Sequence, residues 1–401
     1  MSATSATDAT STSATDATST SATDATRVTY TLTDEQRELA AMVRDLFGER
    51  ATSERVRAVM LGEAGTGFDD ALWAELAQYG LLGLTVPEAH GGAGASFAEL
   101  AIVLEAAGRH LAPVPLLSSA VLGTEAVLGG GTDEQQARIL PQVAAGTLRL
   151  ALAHLDVGGD LWAPPGVHAS RAGDGWTLDG TAAYVIDGAS ATHLVVAAQD
   201  GDRLELFLVP GDAPGLTRTP LEVLDLTRPL ATVELAGVEV ADTDRLSGGE
   251  ALVALHRALT AGVVALAVEQ VGVIDHTLAA CTAYARDRIQ FGRAIGSFQA
   301  VKHRLAEMLV EAESARSAAL HAARVLATGD REELAIAAAL AKAYCGEVAD
   351  RTAADGIQLF GGIGFTWEHD QHLYLKRARS ATLLLGDAKH HRAILADLLG
   401  L

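Results

Sequence analysis

The stretch "YARDRIQFGRAIGSFQ", from Tyr284 to Gln299, separates two long helical patterns. The helical stretch before it, from Glu250, is Ala-rich and contains no proline, and helical periodicity resumes after it as "AVKHRLAEMLVEAES". Arg288 carries a planar, permanently charged fork that suits a phosphate or pyrophosphate, and Phe291 can stack on a flat ring. Taken alone, the stretch predicts either a ligand-binding corner or an ordinary surface arginine beside a helix-ending glycine.

A second stretch, "GIQLFGGIGFTWEHDQHLYLKRA", is rich in glycine and follows the next helical pattern. Gly361, Gly362 and Gly364 leave the backbone open to the close approach of a ligand. Gln358 can pair with the polar edge of a base or with a carbonyl group. A turn that ends a helix explains these glycines equally well, so the second stretch indicates a ligand-binding site only in combination with the first.

The character of the sequence changes three times along the chain. Residues 1–26 repeat "TSATDATS" with a period of eight and predict a disordered tail, because nothing in them can form a core. Residues 27–149 show helical periodicity, residues 150–246 have short β-rich runs between Gly-Asp turns, and residues 247–401 are helical again. The pattern predicts an α+β protein with a helical domain, an antiparallel β domain and a helical bundle.

Composition limits the classes of function. The 401 residues are 49% hydrophobic, and no uninterrupted apolar run is long enough to span a bilayer, so we expect a cytoplasmic protein without membrane contact. The net charge of −21 argues against a nucleic-acid surface and means that an anionic ligand needs a local basic patch. Cys281 and Cys345 are interpreted as reduced thiols in helix cores rather than as a disulfide or metal site.

Three stretches in this order resemble the acyl-CoA dehydrogenase family. The arginine and glycine stretches are similar to its two flavin-binding segments, and "LWAELAQYGLLGLTVPEAHGGAGASFAEL" is similar to its amino-terminal domain. The resemblance covers about residues 29–401. It implies a helical–β–helical fold that ends in a four-helix bundle, a dimer or tetramer, and an FAD that lies across a subunit interface.

The resemblance also implies which residues hold the FAD. In the arginine stretch, the residues expected to hold the FAD of the neighbouring subunit are Arg288, Gln290, Phe291, Ile295 and Phe298. In the glycine stretch, the residues expected to contact the adenosine end of that FAD are Gln358, Gly361 and Gly362. Tyr184 stands where the family has an aromatic residue that covers the flavin ring, and Ile186 replaces a hydroxyl-bearing residue nearby.

The family's reaction requires a base that this sequence lacks. A carboxylate removes the proton alpha to the carbonyl of an acyl-CoA thioester, and hydride leaves the beta carbon for the flavin. Most members carry the base as a glutamate just before a glycine in the last helical region, and some carry it on the long helix before the arginine stretch. Leu385 and Gly262 occupy those two positions, and neither can accept a proton.

Two carboxylates lie near the lost positions. Asp387 is two residues beyond Leu385, and Glu269 is two helical turns beyond Gly262 on nearly the same face. Each also has an ordinary structural interpretation, as a helix-capping aspartate and as a buried glutamate paired with arginine or histidine. The pair His390-His391 is interpreted as two surface histidines rather than a metal site, because adjacent helical residues point in different directions.

Four functions remain open from the sequence. The leading hypothesis is a base-lacking subunit of a heteromeric bacterial acyl-CoA dehydrogenase, in which a sister chain supplies the glutamate. The alternatives are a self-sufficient dehydrogenase that uses Asp387 or Glu269, a flavin monooxygenase or flavin-binding module with the same fold, and a structural partner without FAD. The resemblance implies an electron-transfer flavoprotein as electron acceptor, and the acyl group stays open.

Overall fold

Helices, then a sheet, then longer helices follow one another along the chain. The structure, a computed structural model, describes residues 32–63, 65, 67–159, 161 and 163–401, so the tail predicted for residues 1–26 lies outside the described residues. The amino-terminal helices are α1 (Asp34–Arg50), α2 (Ser53–Met60), α3 (Asp70–Gln78), α4 (Phe97–Arg109), α5 (Thr124–Gly130, after a π-helical turn at Leu116–Gly123) and α6 (Asp133–Ala144).

Helix α1 begins at a reciprocal cap formed by Thr33 and Gln36. The hydroxyl of Thr33 accepts a hydrogen bond from the backbone N–H of Gln36, and the Gln36 amide oxygen accepts one from the backbone N–H of Thr33, both at 3.1 Å. Thr132 and Gln135 repeat this reciprocal arrangement at the start of α6. Each pair satisfies two N–H groups that the first turn of a helix leaves without partners, so short sequence motifs fix where these helices begin.

The seven-stranded sheet in the middle of the chain packs on two different cores. Side chains alternate between its faces: Leu150 and Leu152 join the large core of the helices, whereas Ala151 and Ala153 face the core of the sheet around Trp176. The strands are β1 (Leu150–Ala153), β2 (Val167–Ala172), β3 (Gly175–Ile186), β4 (His193–Asp200), β5 (Arg203–Pro210), β6 (Leu216–Pro220) and β7 (Leu230–Ala241).

The predicted antiparallel pairing describes most of the sheet and needs one correction. β2 pairs with β3, β3 with β7, β4 with β5 and β6 with β7, all antiparallel. β1 instead runs parallel to β4, with Leu150 opposite His193, and β2 meets β4 in a parallel pair at one position. β1 follows α6 and is not joined to β4 by a hairpin. Since only a hairpin connection requires antiparallel pairing, β1 can pair with β4 in parallel.

The carboxy-terminal part is a bundle built around one long helix. That helix, α7 (Ala251–Asp287), is long and apolar enough to cross a membrane, but the segment from Ala261 to Ile274 is wholly buried against neighbouring helices, as in the core of a folded protein. A small hairpin, β8 (Ile289–Gln290) and β9 (Arg293–Ala294), follows it. The remaining helices are α8 (Gln299–Thr328), α9 (Arg331–Phe360), α10 (Gln371–Leu383) and α11 (Ala388–Leu399).

The two cysteines sit inside this bundle. Cys281 on α7 and Cys345 on α9 are both buried and both free thiols, as predicted. Burial raises the pKa of each thiol to about 12, so neither is a reactive thiolate at neutral pH.

Candidate functional site

The arginine stretch forms an exposed corner at the end of α7. Its hairpin turns at Phe291, which has a φ of 53°, and Gly292, and the Phe291 side chain is 90% exposed. Phe291 meets Phe298 edge to face with ring centroids 6.1 Å apart, and the Arg293 guanidinium lies 4.0 Å above the Phe298 ring. The corner therefore presents aromatic and cationic groups to solvent instead of to the core.

Arg288 is a cation at this corner without a partner among the described residues. It is exposed, and among the described residues its guanidinium makes neither an ion pair nor a hydrogen bond. Gln290 beside it is also exposed, whereas Ile295 is half-buried beneath the hairpin. In a chain with a net charge of −21, a free arginine in this setting is the local basic group that an anionic ligand needs.

The glycine stretch lies next to the corner. Tyr284 near the end of α7 stacks on Phe360 at the end of α9 with ring centroids 4.4 Å apart, which brings the two stretches together. A Cβ at Gly361 or Gly362 would meet no atom within 4 Å, and Gly361 has a φ of 65° that favours glycine. Gln358 is exposed on the turn of α9 before these glycines. The two stretches are therefore neighbours in the structure, and the role of these residues in holding FAD stays a prediction.

A cavity of about 700 Å³ lies between the sheet and the corner that joins α10 to α11. It is lined mainly by leucines, with Tyr184 and Ile186 from β3 and with Leu385 and Gly386 from the corner, and we call it the leucine cavity. Tyr184 is 44% exposed and stands over Gly159, and it has a φ of 54°. Among the described lining residues, none carries a carboxylate.

The two positions where the sequence lacks a base are neighbours in space. A Cβ at Gly262 on α7 would lie 2.8 Å from Cδ1 of Leu385 and 2.5 Å from Cδ2 of Leu122. Leu385 is 6% exposed and has a φ of 57°. The space beside Gly262 is thus filled by two leucine side chains, so a longer side chain at position 262 would displace them.

Models of two parts of one family match this chain. The acyl-CoA dehydrogenase amino-terminal domain matches residues 33–147, and the acyl-CoA dehydrogenase carboxy-terminal domain matches residues 252–400. The chain belongs to the acyl-CoA dehydrogenase family. This family binds FAD, and the fold predicted from the resemblance is confirmed.

Curated relatives carry the same family name. Acyl-CoA dehydrogenase IpdE2 of Mycolicibacterium smegmatis is 34% identical over 357 residues, which are 88% of this chain and 96% of that protein. Acyl-CoA dehydrogenase FadE34 of Mycobacterium tuberculosis is 36% identical over 363 residues, which are 89% of this chain. The match spans only 47% of FadE34, about half of that longer protein.

Two similar solved structures are named as pairs of proteins. A variant of the Tcur3481-Tcur3483 steroid ACAD has a TM-score of 0.82 at 36% identity, covering 91% of this chain and 98% of that one. The ChsE4-ChsE5 complex from Mycobacterium tuberculosis has a TM-score of 0.84 at 30% identity, covering 93% of this chain and 99% of that one.

The surface at the corner fits one end of the family's cofactor. FAD carries a pyrophosphate, which needs cations and open backbone. The unpaired guanidinium of Arg288 lies one helical turn beyond Tyr284, whose ring stacks on Phe360 directly before the open glycines 361 and 362. Phe291 and Phe298 offer apolar faces at the same place. Tyr184 at the leucine cavity offers a ring to cover a flavin, but Ile186 there contributes no hydroxyl.

The carboxylate of Glu269 in this acyl-CoA dehydrogenase forms a buried ion pair with Arg228. It accepts a hydrogen bond from Arg228, which lies in the loop between β6 and β7, and both side chains are nearly inaccessible to solvent. Glu269 is also absent from the residues that line the leucine cavity. The structural interpretation of this glutamate, a buried partner of an arginine, therefore fits its position.

Asp387 caps a helix. Its carboxylate accepts a hydrogen bond of 2.8 Å from the backbone N–H of His390 at the start of α11. His390 and His391 have perpendicular rings 5.2 Å apart, and within the described part of the chain no three potential ligands come together to hold a metal ion. The prediction of two surface histidines is wrong for His391, which is buried. Its Nε2 lies 2.9 Å from the carbonyl oxygen of Leu385.

Lys342 is a residue at this site that sequence reasoning missed. Its ammonium group is buried and donates to the carbonyl oxygens of Gly386 at 2.8 Å and Thr382 at 3.1 Å, which fixes both ends of the Leu385 corner. Burial lowers the pKa of Lys342 to about 7. A single lysine inside the Ala-rich stretch "AIAAALAKAY" was the sequence signal, since it interrupts an otherwise apolar helix face.

Proposed function

We propose that this chain is the base-lacking subunit of a heteromeric, FAD-dependent acyl-CoA dehydrogenase that introduces an α,β double bond into an acyl-CoA thioester. The observation that carries the proposal is the contact between Leu385 and Gly262. Both family positions for the base meet in one apolar contact, while the arginine corner and the glycine turn keep an open surface.

In the proposed assembly, this chain holds the cofactor of its sister. Arg288 and Gln290 bind the pyrophosphate, Phe291 and Phe298 pack against the ring system, and Ile295 supports the hairpin from below. Gln358 and the glycines at 361 and 362 receive the adenosine end. FAD, when bound, supplies the acceptor for the two electrons of the reaction. The sister chain supplies the glutamate that removes the alpha proton.

The similar pairs support a heteromer. The ChsE4-ChsE5 structure is described as a complex, and the Tcur3481-Tcur3483 structure is described as a steroid ACAD. By analogy we infer a bulky, apolar acyl group for this assembly, and the leucine cavity of about 700 Å³ has the size of a small-molecule site. A cytoplasmic location and an electron-transfer flavoprotein as acceptor belong to the same proposal.

The proposal is tested by removing the guanidinium that faces the pyrophosphate. A charge-assisted hydrogen bond contributes about 1.5–3 kcal/mol, so Arg288→Ala is expected to weaken FAD binding by roughly 10- to 150-fold in the assembly with the sister chain. Arg286→Ala is the matched control, because Arg286 is an exposed arginine two residues away on the last turn of α7. Equal FAD retention in the Arg288 and Arg286 variants would refute the assignment.

A further inference from the structure

A small polar cavity lies where the three parts of the chain meet. It has a volume of about 10 Å³, and most of the atoms that face it are polar. The residues that line it include Leu117 before α5, Asp187 at the end of β3, Glu269 on α7 and Arg377 on α10. We call it the junction cavity, and it shares no described lining residue with the leucine cavity.

Two carboxylate oxygens at this cavity have no partner among the described residues. Asp187 accepts the hydrogen bond of Ser118 through Oδ2, and Glu269 accepts that of Arg228 through Oε2. Oδ1 of Asp187 and Oε1 of Glu269 accept no hydrogen bond from a described residue, and neither oxygen is sealed off from a water-sized molecule. Both residues are buried and line the junction cavity, so we place the two oxygens at its wall.

Arg377 adds an unused donor to the same wall. Its Nε donates to Asp225 at 2.7 Å, and its Nη2 donates to the carbonyl oxygen of Thr227 at 3.0 Å. Its Nη1 makes no hydrogen bond to a described residue and, like the two carboxylate oxygens, is not sealed off. The wall therefore presents two acceptors and one donor whose hydrogen bonds are not made within the described part of the chain.

Water fits both this set of groups and this volume. A water molecule donates two hydrogen bonds and accepts two, and a cavity of roughly this size holds one molecule. Water can therefore donate to both carboxylate oxygens and accept from the guanidinium. Arg228 and Arg377 border the cavity and disfavour a cation, whereas Asp187 and Glu269 disfavour an anion, so an uncharged ligand is selected.

We propose that the junction cavity binds one water molecule, which donates hydrogen bonds to Asp187 and Glu269 and accepts one from Arg377. This water links the end of β3 to the helices α7 and α10. β3 also carries Tyr184 and Ile186, which line the leucine cavity, so the link fastens one wall of that cavity to the bundle. The inference needs neither FAD nor a sister chain, and it stands independently of the proposed function.

Crystal structures of the full chain at pH 7.5 test the proposal. Burial raises the pKa of Asp187 only to about 6, so its carboxylate is charged at this pH. We expect density for one ordered water in each chain, with its oxygen about 2.5–3.0 Å from Oδ1 of Asp187 and Oε1 of Glu269. A soak in rubidium chloride separates water from a cation, because bound rubidium gives an anomalous peak, and we expect no such peak in the junction cavity.

Two variants show which groups hold the water. Ser118→Ala is the control, because it removes the hydrogen bond to Oδ2 of Asp187 and leaves Oδ1 in place, so the water is expected to stay. Asp187→Leu replaces the carboxylate with an apolar group of similar size, so the water is expected to be lost. If Asp187→Leu does not fold, the structures of the unsubstituted chain and of Ser118→Ala decide the proposal.

Four results would overturn the proposal. Clear density for the surrounding side chains without a water between them would show that the cavity stays dry. A water that contacts neither carboxylate, or that remains in a folded Asp187→Leu variant, would show that other groups hold it. Loss of the water in Ser118→Ala would show that Ser118 organises the site, and a rubidium peak would identify a cation site.

Discussion

Replacing Asp187 with asparagine should stabilise the protein above pH 6. Asp187 follows Ile186 at the end of β3, is 7% exposed and accepts a hydrogen bond of 2.6 Å from Ser118. Burial raises the pKa of its carboxyl group from 3.8 to about 6, although Ser118 and the nearby Arg228 and Arg377 oppose the shift. The carboxylate form is therefore less stable inside the fold than in the unfolded chain.

The buried charges around Asp187 do not offset the burial that raises its pKa. In the described part of the chain, three carboxylates meet two guanidinium groups here. Arg228 pairs with Glu269, and Arg377 pairs with Asp225 at 2.7 Å. For Asp225, burial alone would raise the pKa, but Arg377 and the Thr227 hydroxyl outweigh burial and hold the pKa below its usual value. Both arginines are thus committed to other acids, and Asp187 is the carboxylate left without a full counter-charge.

The magnitude follows from the change in pKa. A folded-state pKa of about 6 against 3.8 in the unfolded chain means that stability falls as the pH rises from about 4 to 6. Above pH 6 the full cost is present, about 3 kcal/mol at 1.36 kcal/mol for each unit of pKa. Asp187→Asn removes this cost and keeps an acceptor for Ser118, so it should match the unsubstituted protein near pH 4 and exceed it by about 3 kcal/mol at pH 7.5.

Urea unfolding of both proteins between pH 4 and 8 measures this difference. Glu269→Gln is the contrasting variant: it breaks a buried ion pair, and such losses cost about 3–5 kcal/mol. An Asp187→Asn variant that is less stable than the unsubstituted protein at pH 7.5 would refute the reasoning, because it would show that Arg228 and Arg377 hold Asp187 as a carboxylate.

Two further predictions concern the corner between α10 and α11. Asp387→Ala should lower stability by about 1 kcal/mol through loss of the helix cap, and Asp387→Ser should restore most of it. Neither change should alter turnover of the active assembly by more than a few-fold, whereas a loss of several orders of magnitude in both would identify Asp387 as the base. Leu385→Ala should cost about 2–5 kcal/mol in thermal or urea unfolding, because the side chain is buried and packs over Gly262. An unchanged stability would mean that Leu385 faces open space.

The parts of the fold that the sequence predicted rest on local patterns. The capping box at Thr33 marks a helix start within four residues, and alternation along β1 follows from the two faces of a strand. The arginine and glycine stretches were found because each carries its chemistry within a short segment. Their meeting through Tyr284 and Phe360 was implied by the resemblance, and the structure shows the ring contact that achieves it.

The parts that the sequence did not predict depend on distant partners. Glu269 is bound by Arg228, 41 residues away in a β-domain loop, and helical spacing alone could not choose between that partner and a role as base. The contact of Gly262 with Leu385 joins positions more than 100 residues apart, and the parallel pairing of β1 with β4 has no hairpin signal.

We infer that this chain holds a flavin for a sister subunit and lacks a base of its own. The most direct test is anaerobic flavin bleaching by a panel of acyl-CoAs, measured for the chain alone and for the chain purified with a sister that retains the glutamate. A missing base typically costs on the order of 100- to 10,000-fold in rate. We expect bleaching near background for the isolated chain and rapid bleaching for the mixed assembly, with fewer bound flavins than protein chains. Rapid bleaching by the isolated chain would contradict it and would require a base that neither Leu385 nor Gly262 provides.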